Sequence, residues 1–286
     1  MKIRQEAFFL PVGGVDRFCI WRAPEVASEI RGLVVHAPAF AEEMNKARRM
    51  TACAARDFAA HGLAVLAIDL FGCGDSPGDF GDATWEIWVG DVVAAVEWAR
   101  ARAEGPLWLW GLRAGALLCS AALPSVRQPA SLLLWQPVVS GTQYLTQFLR
   151  MKLAADMIGE ARDRGGVKRL REMLQRGLPL EVAGYQLSPK LAAGIDSAEF
   201  AVSGELKGRV VWLDVSTSQP GSLSPATRAR IAALQSHGVD VAARVVHGPS
   251  FWQTVEIEEC PELIEASVAN LRRKQERELS PHTTLL

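Results

Sequence analysis

The sequence predicts an α/β fold with a mostly parallel central sheet covered by helices on both faces, and three observations carry that expectation. Short apolar runs alternate with amphipathic stretches along most of the chain. The runs are continuously hydrophobic, the mark of strands buried on both faces. The alternation breaks only once, over residues 142–205, and then resumes.

In chain order, residues 7–12 and 17–23 flank Gly13–Gly14 and form a β-hairpin. GLVVHAP (32–38) is a buried strand, 46–61 a helix, LAVLAIDL (63–70) a strand and 84–103 a helix. PLWLWG (106–111) is the next strand, followed by a helix over 114–123 and the strand SLLLWQPV (131–138). Residues 142–205 hold two or three helices with loops at Gly165–Gly166, Pro179 and Ser188–Pro189, which reads as a lid inserted over the crevice. The sheet resumes with RVVWLDV (209–215), a helix at 225–237, VAARVVHG (241–248) and a last helix at 260–275. Residues 276–286 lack periodicity and read as a frayed tail, so one domain spans 1–286. In an open α/β sheet the functional crevice lies at the carboxyl ends of the strands.

Composition narrows the function. At 286 residues and 49% hydrophobic the chain can bury a large core. With 31 basic and 32 acidic residues it lacks the basic excess of a nucleic-acid binder. The five cysteines are scattered, with no paired spacing, and read as reduced and buried. The five histidines show no metal-ligand spacing, so no metal or other cofactor is expected. The apolar patch near the amino terminus is too short for a signal peptide, and nothing approaches the ~20 residues of a membrane span, so a cytoplasmic protein is expected.

The most informative segment is LWLWGLRAGALL (107–118), a strand turning sharply into a helix on the pattern G-x-X-x-G. Gly111 and Gly115 permit the tight turn that lifts the central side chain above the sheet edge, where a serine nucleophile would stand. That side chain is Arg113, whose guanidinium stays protonated and has no lone pair with which to attack a carbonyl. DLFGCGDSPG (69–78) supplies a second pattern, D-x-x-G-x-G-x-S, with Asp69, Gly72, Gly74 and Ser76 in place.

Together with the strand ending at His36, these segments resemble the α/β-hydrolase superfamily. More narrowly, HAPAFAEEMNKARRM, DLFGCGDSPGDF, WGLRAGALL and GPSFWQTVEIEECP resemble the second of the two exosortase A system-associated hydrolases, a bacterial family linked to PEP-CTERM protein sorting and exopolysaccharide loci. The resemblance runs over nearly the whole chain. It implies a companion α/β hydrolase, and a setting with an acyl ligase and an acyl carrier protein that suggests ester or thioester chemistry.

Set against a Ser, Asp/Glu, His order, every slot is altered. Arg113 takes the nucleophile slot, Asp214 is a displaced carboxylate at a strand end, and His247 falls a few residues early, leaving Phe251 and Trp252 in the histidine stretch. A shifted loop brings His247 into the crevice in one reading; in the other it is a structural strand-end histidine. His36–Ala37–Pro38–Ala39–Phe40 resembles the superfamily's oxyanion loop, with Pro38 lacking an N–H, which leaves Ala39 or Phe40 and the Ala114 amide as donors. Cys119 and Ser120 lie too far into the following helix to reach the crevice. A cation at a helix start calls for an anion, and Glu42, Glu43, Asp214 and Glu256 are the internal candidates. Asn45, Lys46, Arg48 and Arg49 open the helix beside the crevice. Residues 150–176 carry eight basic and four acidic side chains, a local excess that reads either as a solvated face or as ligand attraction.

Two functions follow. One is a noncanonical hydrolase or acyl-transfer enzyme, with Arg113 as an electrophilic anchor and His247 or Glu43 as base. The other is a catalytically silent pseudohydrolase that binds an acyl or anionic ligand or the companion hydrolase.

Overall fold

The computed structural model describes residues 1–158, 165–202, 206 and 208–279. Strands β1 (Ile3–Val12) and β2 (Val15–Pro24) form the expected antiparallel hairpin. Then come β3 (Gly32–Ala37), α1 (Glu42–Ala60), β4 (Leu63–Ile68), α2 (Trp85–Arg102), β5 (Leu107–Leu112), α3 (Gly115–Ala122) and β6 (Ala130–Trp135). An insertion follows: α4 (Gly141–Ile158), α5 (Gly166–Gln175), the strands β7 (Leu180–Val182) and β8 (Tyr185–Leu187), and α6 (Pro189–Ser197). The sheet is completed by β9 (Arg209–Ser216), α7 (Pro225–Ser236), β10 (Asp240–His247) and α8 (Pro261–Leu279).

The eight-stranded sheet has the order β1-β2-β4-β3-β5-β6-β9-β10. β2 joins β4 antiparallel, and every pairing from β4 onward is parallel. Because side chains alternate across a strand, each central strand feeds two apolar layers. Leu33 and Val35 of β3 and Leu107 and Leu109 of β5 pack into the layer of α2 and α3. Val34, Trp108 and Trp110 pack into the layer of α1 and α8. This is why the strands read as unbroken hydrophobic runs.

Three boundaries differ from expectation. The strand ends at Trp135 rather than 138, because Gln136 takes a positive φ of 43° and turns the chain away. The insertion carries a small antiparallel hairpin, β7–β8, besides its three helices. The last helix runs to Leu279, through the first part of the expected tail, while residues 280–286 lie outside the described residues. So does the 159–164 part of the basic run. Among the described residues no helix is long and apolar enough to cross a membrane, and no cluster of His, Cys, Asp and Glu has the arrangement of a metal site.

Candidate functional site

The β5–α3 elbow keeps its backbone shape without a nucleophile. Arg113 has φ 54°, a strained left-handed conformation for a residue with a side chain. It is held there by Arg113 N–H donating to Trp135 O at 3.0 Å and by Val138 N–H donating to Arg113 O at 3.1 Å. Both glycines are sterically required. A Cβ on Gly111 would lie 2.7 Å from Ala116 N, and one on Gly115 would lie 2.1 Å from Ala37 O.

From this elbow the Arg113 side chain reaches the start of α1. Its Nε donates to Glu43 Oε1 at 3.1 Å and its Nη1 to Gln136 O at 3.3 Å. The other oxygen of Glu43 accepts from the Tyr144 hydroxyl at 2.8 Å. Burial, and then the neighbouring Glu43 charge, hold the Tyr144 phenol well above its ordinary range, so it stays a neutral donor. The guanidinium also stands over two rings, 5.9 Å from the Tyr144 centroid and 5.5 Å from that of Trp252. Arg113 and Glu43 are nearly enclosed, with side chains 14% and 16% exposed. The anion that the helix start demands is therefore Glu43; Glu42 accepts from Tyr185 at 3.2 Å, and Glu256 is exposed to solvent.

The expected acid and base do not meet. Asp214 accepts from Trp212 Nε1 at 2.8 Å and Thr227 Oγ1 at 3.4 Å. Burial raises its pKa, against the lowering effect of those bonds and of Arg113. His247 ends β10 exposed, and its side chain has no hydrogen bond or ion pair among the described residues. Of the two readings of His247, the structure has the strand-end one: β10 continues through His247 in register with Ser216, and no shifted loop brings it into the crevice. Trp252 stands over the elbow in its place, buried, with its Nε1 lacking a partner among the described residues.

The other expected ligand contacts fall as follows. Phe251 is fully buried, packed edge-on against Trp135 and Trp252, and belongs to the core. Phe40 and Ala39 are buried; Phe40 is ringed by Phe80, Trp88, Tyr144 and Phe148. His36 is buried against Trp110, its Nδ1 3.1 Å from Trp110 O, and burial pushes its pKa down to about 4, so it is a neutral imidazole. Ala114, also buried, is the residue that leads into α3. Asn45 is exposed and donates to the Tyr185 hydroxyl at 2.7 Å. Cys119 is fully buried and Ser120 bonds to the backbone of Ala201, so neither faces the elbow chemistry.

The glycine-rich turn proves architectural. Asp69 Oδ2 accepts from Asp75 N at 2.9 Å and from Arg48 at 3.0 Å, while Ser76 Oγ bridges Phe18 N and Asp69 O.

Sequence reasoning missed Tyr144, Tyr185 and Gln136. One signal was available: the chain has only two tyrosines. Both lie in the insertion, and both bond to acidic side chains in the first turn of α1.

Comparison with known proteins agrees with this architecture. A ferulic acid-bound Est1E from Butyrivibrio proteoclasticus superposes with TM-score 0.61 at 16% identity, covering 95% of this chain and 100% of that one. A thermostable carboxyl esterase from Bacillus coagulans gives 0.63 at 15%, covering 96% and 99%. Mouse alpha/beta hydrolase domain-containing protein 10 gives 0.56 at 13%, covering 96% and 100%. At such identities the likeness shows the α/β-hydrolase fold. No curated protein matches the chain. The family model for serine aminopeptidase, S33 (Hydrolase_4) matches residues 28–195, which is more than half of the chain and includes both the elbow and the start of α1; the chain belongs to that family of α/β hydrolases.

Proposed function

We propose that this family member is a pseudohydrolase that holds an acyl or anionic ligand rather than cleaving one, in the cytoplasmic, exosortase A-associated setting its sequence resembles. One observation carries the reading: the nucleophile position is occupied by Arg113, already paired to Glu43 and covered by Trp252. A guanidinium held by a carboxylate neither attacks a carbonyl nor takes up a proton. The same group suits an anion. Nε and Nη1 are engaged, whereas Nη2 has no partner among the described residues and remains to donate to a ligand carboxylate or carbonyl. The insertion, latched to α1 through Tyr144 and Tyr185, acts in this reading as a lid over that position. The companion hydrolase implied by the resemblance is the partner we propose.

A noncanonical hydrolase or acyl-transfer role is the second reading, favoured by the retention of the strained elbow at Arg113. There Arg113 polarises the substrate carbonyl while Glu43 serves as base.

The test is steady-state hydrolysis of short- and long-chain acyl esters and acyl thioesters by the purified protein, alongside Arg113→Ala and His247→Ala. Absence of turnover, with acyl-carboxylate binding that Arg113→Ala weakens, supports the ligand-holding role. Turnover that collapses in either variant overturns it in favour of the second reading.

A further inference from the structure

We propose a second ligand site, distinct from the Arg113–Glu43 pair, between α1 and the face of β2 and β4 that it covers, built for a small carboxylate with a short apolar tail. A cavity of about 200 Å³ lies there; His36, Pro38, Ala39 and Leu112 bring one end of it up behind the elbow, but Arg113, Glu43, Tyr144 and Trp252 take no part in it. Its walls are mainly apolar, including Phe18, Ile20, Met44 and Ala52. That volume equals the liquid share of roughly seven waters, so the occupant is metabolite-sized.

The charge on its lining is what selects the occupant. Arg22 lines the cavity and is only 6% exposed. Its Nε donates to the neutral Gln5 Oε1 at 2.9 Å, its cross-strand neighbour. Among the described residues no carboxylate pairs with it, and its terminal nitrogens have no hydrogen-bond partner. The other lining charges cancel, since Arg48 bonds to Asp69 at 3.0 Å. His36 is neutral. The lining therefore carries one uncompensated positive charge, and Arg56 on α1 adds a second cation close enough to disfavour the charge on Arg22. A buried cation without a counter-ion is costly unless an anion reaches it. The free edge of the Arg22 fork presents two parallel N–H donors, which match a carboxylate bidentately. The apolar walls around the rest of the cavity suit a short hydrocarbon tail.

The experiment is calorimetric titration of the intact protein with hexanoate, with 1-hexanol as the uncharged control, repeated for Arg22→Met, Ala52→Phe and Arg113→Ala. Hexanoate is expected to bind at least about tenfold more tightly than hexanol. Hexanoate is expected to titrate two classes of site: Arg22→Met weakens the cavity component about tenfold or more, Ala52→Phe abolishes that component by filling the cavity, and Arg113→Ala weakens only the elbow component. Should Arg22→Met fail to fold, Ala52→Phe alone decides. No binding up to about 10 mM hexanoate, equal binding of hexanol, a titration that both Arg22→Met and Ala52→Phe leave unchanged, or loss confined to Arg113→Ala would each overturn the proposal. The last result would assign the anion to the elbow, so the two sites stand or fall separately.

Discussion

Removing the carboxylate of Glu43 measures how strongly the elbow depends on the pair it forms with Arg113. The two charges lie 3.1 Å apart with side chains 14% and 16% exposed. At an effective dielectric of ~20 their attraction is roughly 5 kcal/mol. Desolvation of both groups offsets most of it, leaving a net coupling of about 1–2 kcal/mol. Glu43→Ala loses more than that coupling, because it strands a nearly enclosed guanidinium and takes the acceptor from the buried Tyr144 hydroxyl. About 3 kcal/mol is expected. Arg113→Ala costs about 1–2 kcal/mol, since Glu43 keeps Tyr144 and a favourable place at the start of α1. The double variant should then lose less than the sum by the coupling energy. Urea unfolding of the four proteins, with unchanged m values, measures it directly. Additivity within about 0.3 kcal/mol would mean that the pair is not an interacting unit, and the case for an elbow closed by a built ion pair would collapse.

Three further outcomes are expected. Arg113→Ser should remain inactive toward acyl esters, because Trp252 holds the histidine slot and His247 is fixed on β10; turnover well above the uncatalysed rate would show that a base reaches the elbow. Gly115→Ala should cost more than about 2 kcal/mol in the urea midpoint, since its Cβ would sit 2.1 Å from Ala37 O and 2.7 Å from Pro38 O, and a loss under about 0.5 kcal/mol would contradict the packing described. The folded pKa of His36 is depressed to about 4, so its stabilisation is complete above the unfolded value of ~6.5 and is lost as pH falls, when the unfolded chain takes a proton that the folded chain refuses. Between pH 7 and 5 this amounts to roughly 2 kcal/mol; the difference in pH dependence between the native protein and His36→Phe reads it, and parallel curves would show that His36 is not buried neutral.

The fold was legible because it rests on local periodicity. Continuous apolar strands and the elbow glycines Gly111 and Gly115 name their own geometry, and Arg113 declared that a serine mechanism was gone. The partner of Arg113 was only narrowed to four acids. Choosing Glu43 depends on where the first turn of α1 meets the elbow, a contact spanning 70 residues that no local pattern encodes. Tyr144 was illegible for the same reason, coming 101 residues after the carboxylate it caps. Phe251 was misplaced because a neighbouring aromatic pair does not reveal which ring faces the crevice; the turn after β10 sends Phe251 into the core and Trp252 toward Arg113.

The altered positions fit one another, and that bears on whether the site is decayed or rebuilt. Loss of a serine alone would leave a histidine and a carboxylate near the elbow with nothing to activate. Here Asp214 is satisfied by Trp212 and Thr227, His247 is out at solvent, and an indole occupies the vacated space at a distance suited to a guanidinium. The arginine in turn has its carboxylate, and that carboxylate has its phenol. The left-handed strain at Arg113 persists although no nucleophile needs to be presented, at a cost of roughly 1–3 kcal/mol. Random loss of a triad gives no reason for the elbow to keep that strain or for the inserted helices to supply a hydrogen bond to the replacement's partner. The ligand-holding function proposed above, in which the guanidinium has to stand at the elbow, accounts for both.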